Sequence, residues 1–127
     1  METVSLGAPK PILESLPGDD AARADMREAA AGWERRINAA IETAADDGEA
    51  VGAVVDAVER FEKRVERFDE FVPELRAWGQ SPIYAIAWRN LYAELIAQLY
   101  NHEELGDALD RERNQRLVQD GIRFGDK

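Results

Sequence analysis

An all-α fold follows from three features of this 127-residue chain. Apolar residues recur at alternating spacings of three and four through most of it, which is the period of a helix face. No run alternates with the period of two that a half-buried strand requires. Most Gly and Pro fall between or at the edges of the periodic segments, with Gly32 inside the first of them. The expected architecture is a helical hairpin, a central apolar helix and a shorter C-terminal helix in one small bundle, with an extended N-terminal arm. The expected division is 1–18 arm, 19–120 bundle and 121–127 tail.

The arm carries Gly7, Pro9, Pro11, Pro17 and Gly18, which argue against a regular helix there. Its apolar residues Val4, Leu6, Ile12, Leu13 and Leu16 leave two readings. The arm either frays or docks as an extended segment on the body or on a neighbouring subunit.

Asp19 and Asp20 are N-cap candidates for the first long helix. Met26, Ala30, Trp33, Ile37, Ala40 and Ala44 follow at spacings 4, 3, 4, 3 and 4, with Ile41 beside them. The acidic turn at residues 46–49, with Gly48, closes this helix against a second, so the two form an antiparallel hairpin.

The second helix holds the most regular pattern in the chain. Val51, Val54, Val58, Phe61, Val65, Phe68 and Val72 alternate spacings of 3 and 4 over three heptads. Glu59, Glu62, Glu66 and Asp69 flank this seam on one side, and Arg60, Arg64 and Arg67 on the other. Like charges stacked along one flank weaken a lone helix, and a neighbour of opposite charge would relieve them. The seam serves either the intramolecular hairpin or self-association. In a parallel dimer Arg64 would face Asp69. Pro73 then interrupts the pattern, one short turn ends at Gly79, and Trp78 and Trp88 are expected to pack at the corner.

Residues 81–100 are the central helix. Ser81-Pro82 reads as a cap followed by proline at the first helical position. The helix is apolar nearly all round, apart from Arg89 and the stripe Asn90, Glu94 and Gln98. Those four residues exclude a membrane span, because buried charge is costly in lipid. The last helix is expected over residues 103–118, with Leu105, Ala108, Leu109, Leu117 and Val118 around a polar middle. Gly121, Ile122, Phe124 and Gly125 mark the tail.

Composition narrows the chemistry. No Cys is present, so there is no disulfide and no thiolate metal site. His102 is the single histidine, and no Glu-x-x-His pair accompanies it. Ser5, Ser15 and Ser81 sit in the arm or at a cap, and no glycine-rich phosphate cradle occurs. No catalytic, cofactor or metal residue is therefore assigned, and the chain is expected not to be an enzyme. The net charge is −10, with 26 acidic residues against 16 basic ones, and Lys occurs only at 10, 63 and 127. That composition resembles proteins of salt-loving organisms, and a GC-rich genome favours Arg over Lys in the same way. An acidic chain is poorly suited to general nucleic-acid binding. Residues 1–17 lack the charged and apolar regions of a signal peptide, so a cytoplasmic place, or a virion assembled there, is expected.

The helical hairpin covers only part of the central helix, and the last helix is polar in its middle. The functional expectation is therefore a structural or assembly subunit that meets a protein partner, or itself, by helix–helix contact. The residues expected at that interface are Tyr84, Trp88, Leu91, Leu95, Leu99, Phe61 and Phe68. A virion or another large complex is the expected setting. One alternative is a nucleic-acid adaptor or DNA-packaging subunit using Arg111, Arg113, Arg116 and Arg123. A second is a bundle that binds a ligand or performs catalysis around Glu94.

Overall fold

The computed structural model describes residues 1–125, with side chains through residue 120. Five helices and no strand occur among the described residues: α1 Lys10–Glu14, α2 Asp20–Thr43, α3 Asp47–Ala77, α4 Ile83–Tyr100 and α5 Leu105–Gly125. α2 and α3 form the hairpin. Each starts on an aspartate cap: Asp19 accepts from the Ala22 N–H at 2.9 Å, and Asp46 from the Glu49 N–H at 2.8 Å. Those bonds satisfy donors that a helix start otherwise leaves orphaned.

α4 packs against each of the other four helices, so the central position expected of it holds. It starts one residue later than Ser81-Pro82 implies, with Pro82 as its N-cap residue. Gly106 lets α5 turn back at once, because a Cβ there would collide with the Tyr100 carbonyl. Leu105 and Leu109 then insert fully into the core. α5 continues through Gly121 rather than ending near residue 118, since one helical glycine costs only about 1 kcal/mol.

Two local expectations need correction. α3 passes through Pro73 to Ala77 as one 31-residue helix. Proline there removes one hydrogen bond to the Asp69 carbonyl. Pro73 and Asp69 are both exposed, so the loss falls at the surface and the helix survives it. The end comes at Gly79, whose φ is +73°. Its N–H donates to the Arg76 carbonyl at 3.1 Å, and the Gln80 N–H to the Leu75 carbonyl at 2.9 Å, the double bond pattern of a Schellman cap. The second correction concerns residues 10–14, which are helical rather than extended. Pro9 caps that turn and Pro11 lies in its first positions, where a missing N–H breaks nothing.

Residues 1–9 carry no helix and lie between α2 and α4. Two side-chain amides hold them. Asn38 accepts from the Val4 N–H at 2.7 Å and donates to the Val4 carbonyl at 2.9 Å. Gln98 does the same for Gly7, at 3.0 and 2.9 Å. Each amide thus pairs both ways with one backbone unit, as a neighbouring strand would. Val4 and Leu6 are buried as a result.

Candidate interaction surface

α3 has two unlike halves. Every fully covered residue on it lies between Ala50 and Phe61. Beyond Phe61 the seam continues through Val65, Phe68 and Val72, but all three are only half-buried. The reason is reach. α5 runs antiparallel along the first half, where Arg113 pairs with Glu62 at 2.9 Å and Arg116 with Asp56 at 3.0 Å and Glu59 at 3.2 Å. Nothing equivalent lies over the second half.

Large apolar side chains are exposed where α3 hands over to α4. Of the eight among the described residues, five fall here: Phe71, Trp78, Ile83, Tyr84 and Ile86. Trp78 is 65% exposed, so it does not pack at the corner as expected. Trp88 instead stacks on Tyr92, with ring centroids 6.2 Å apart. Tyr84 is tied at its hydroxyl, which donates to Asp19 at 2.5 Å. That bond holds the Asp19 carboxyl below its ordinary range, helped by the Ala22 N–H, and raises the Tyr84 phenol.

The expected interface residues divide accordingly. Leu91, Leu95, Leu99 and Phe61 are fully buried in the chain's own core, out of a partner's reach. Leu105 and Leu109 of α5 join them in one core cluster with Val4 and Leu6 of the arm, so the cover that the helical hairpin lacks comes from within the chain. Trp88 and Phe68 are half-buried, and Tyr84 is exposed. Phe71, Trp78, Ile83 and Ile86 complete the exposed set and were not among the expected residues. Their sequence signal was the excess of large apolar residues around a corner marked by Pro73 and Gly79.

Beside this corner lies a cationic strip. Arg36, Arg60, Lys63, Arg64 and Arg67 surround Trp33 in one concavity of about 230 Å³. None of the five makes an ion pair among the described residues. Aromatic faces hold two of them instead. Arg36 stands 4.3 Å from the Trp33 ring centroid, and Arg64 stands 5.4 Å from Trp33 and 5.0 Å from Tyr92. Arg64 also donates to the Tyr92 hydroxyl at 2.5 Å. Each cation–π contact at such a site is worth about 0.5–1 kcal/mol. The arginine flank of the sequence is therefore not relieved by any ion pair among the described residues. Asp69, its supposed partner in a parallel dimer, is bonded to Arg89 at 3.0 Å.

The other candidates fare differently. Arg113 and Arg116 spend their charge on Glu62, Asp56, Glu59 and Glu112. The Tyr100 hydroxyl, and after it Glu62, hold the Arg113 guanidinium more firmly protonated than usual, and at Arg116 the bonds to Asp56 and Glu112 outweigh the opposing effect of burial. A phosphate would have to displace them. Arg111 instead lines an open cleft of about 860 Å³ with Glu2, Asp47, Glu104 and Glu112. The side chain of Arg123 lies outside the described residues, as do those of Ile122 and Phe124. Among the described residues the wall of that cleft holds no His, Ser or Thr. Glu94 is half-buried on α4. The Nδ1 of His102 accepts from the Glu104 N–H at 3.3 Å, at the exposed corner after α4. No cluster of three potential metal ligands occurs among the described residues. No described helix is long and apolar enough to cross a membrane.

The model of a family of unknown function, DUF7971, matches residues 1–126, and the chain belongs to that family. No curated protein and no solved structure matches it.

Proposed function

We propose that this member of the DUF7971 family is a non-enzymatic assembly subunit. It joins a larger complex by helix–helix contact through the second half of α3 and the start of α4. The carrying observation is the concentration of exposed apolar side chains at Phe71, Trp78, Ile83, Tyr84 and Ile86. Scattered surface apolar residues are ordinary, but a gathered set beside an otherwise charged helix is the mark of a protein contact. A second exposed pair, Leu117 and Val118, lies on α5 just beyond Arg116, which reaches the Gly52 carbonyl near the far end of α3. Gly52 and Trp78 are roughly 39 Å apart along the helix, so the two spots could serve two neighbours. A virion or another large multi-subunit complex is the setting we propose for such a subunit. A nucleic-acid role through residues 111–123 is less favoured, because Arg113 and Arg116 are already ion-paired.

Light scattering tests the reading. The wild type should exceed the monomer mass. Trp78→Asp with Ile83→Asp should reduce it to a monomer of unchanged helix content. A variant whose mass equals that of the wild type would overturn the proposal.

A further inference from the structure

The exposed face of α3 has a pattern of its own. Arg60, Arg64, Arg67, Phe71, Glu74 and Trp78 recur at spacings of 4, 3, 4, 3 and 4, and all six are exposed. They form a second seam on the same helix as Val51–Val72, rotated away from the core and roughly 27 Å long. Arg60, Arg64, Arg67 and Glu74 make no ion pair among the described residues. Arg60, Arg67 and Glu74 thus stand in line with two exposed aromatic rings without an ion pair among the described residues, and Arg64 between them is held only by the Tyr92 hydroxyl and the faces of Trp33 and Tyr92.

This set is complementary to itself when reversed. Turning the stripe about the level of Asp69 exchanges Arg60 with Trp78, Arg64 with Glu74 and Arg67 with Phe71. In an antiparallel helix pair, each a position lies opposite a d position of the neighbour, which is the relation these pairs require. We propose that α3 pairs with α3 of a second copy, antiparallel about a two-fold axis. Arg60 then lies over the partner's Trp78 and Arg67 over the partner's Phe71, both cation–π contacts. Arg64 meets the partner's Glu74 in an ion pair. The symmetry repeats each layer, as an isologous interface must.

Other occupants fit less well. A parallel pair sets Arg60, Arg64 and Arg67 against their own copies, which repel. A single-stranded nucleic acid stacks successive bases on open rings, and Trp33 and Tyr92 are buried under the arginines, which leaves only Phe71 and Trp78 exposed on this stripe. The charge of −10 on the whole chain also repels a polyanion.

The inference rests on the assembly reading and names its partner. The test is a charge exchange followed by analytical ultracentrifugation. Glu74→Arg places arginine against arginine twice in each dimer and should weaken self-association by about tenfold or more. Arg64→Glu should weaken it similarly. The double variant Arg64→Glu/Glu74→Arg should return to within about threefold of the wild type. Residues 64 and 74 are roughly 15 Å apart along one helix, so rescue can arise only between chains. The Glu74 side chain makes no ion pair among the described residues, and Glu74→Arg therefore remains informative if Arg64→Glu disturbs Tyr92. If Glu74→Arg associates as the wild type does, or the double variant is no better than the single ones, the two-fold register is overturned. Dissociation by Trp78→Asp in that case leaves the assembly reading standing. A wild-type chain that stays monomeric near 1 mM, on the order of the weakest specific affinities, overturns both.

Discussion

The two halves of α3 share one sequence pattern and meet opposite fates. From Val51 to Phe61 the seam is sealed by α2, α4 and α5, and Arg113 and Arg116, which reach α3 from α5, are ion-paired. From Val65 to Val72 the same seam is half-covered, and the arginines on its flank make no ion pair among the described residues. A regular heptad pattern therefore says that a face wants cover, without saying how far the cover extends. The extent is set by where α5 and the arm lie, which depends on corners and on two amide clamps.

Core truncation should separate the halves most sharply. Phe61→Ala should cost about 3–5 kcal/mol, the usual range for emptying an aromatic site in a packed core. Phe71→Ala should cost less, about 1–2 kcal/mol in the monomer, because its ring is only partly covered. Urea unfolding followed by circular dichroism measures both, and equal costs would erase the distinction.

The arm should rank next. Removing residues 2–8 uncovers the core that Val4 and Leu6 close and should cost about 3 kcal/mol or more. Asn38→Ala keeps the apolar side chains and loses only two hydrogen bonds, about 1–3 kcal/mol. Proteolysis of the N-terminus should accelerate in Asn38→Ala. An unchanged cleavage rate would show that the clamp does not hold the arm.

Arginines on the two halves should differ less. Arg116→Ala loses three partly exposed ion pairs and should cost about 1 kcal/mol or less. Arg67→Ala should leave monomer stability within about 0.5 kcal/mol. Thermal unfolding of both variants in dilute protein makes the comparison.

The smallest effect is the tie between Tyr84 and Asp19. Asp19 has a lowered carboxyl pKa in the fold, so its contribution is complete above the ordinary aspartate range and is lost as pH falls through the lowered value. Tyr84 has a raised phenol pKa, so the same tie is lost again as pH rises through it. The stability gap between wild type and Tyr84→Phe should be constant from about pH 5 to 8 and close below about pH 3 and well above pH 10. A gap that persists at acid pH would mean that the bond is not made in solution.

Much of this fold can be read from residues in line. The Asp19 and Asp46 caps, the Val51–Val72 seam, the Gly79 stop and the apolar bulk of α4 are all local patterns. What escaped are contacts between distant positions. Gln98 looked like part of a polar stripe with Asn90 and Glu94, and its bond with Gly7 depends on where the arm lies. Arg113 and Arg116 looked like a basic cluster because their carboxylate partners, Glu62, Asp56 and Glu59, sit on another helix. Leu91, Leu95 and Leu99 looked like a contact face because α5 reads as mostly polar. Leu105 and Leu109, two residues in its first half, supply cover there. The interface candidates shifted in consequence from the middle of α4 to the exposed face of α3.

The most direct test of that shift is the solution mass of the wild type beside Trp78→Asp/Ile83→Asp and Leu117→Asp, at equal concentration. The account predicts a wild type larger than a monomer, a monomeric corner variant, and retention of the α3-mediated association in Leu117→Asp. An assembled corner variant, with its helix content intact, would contradict it.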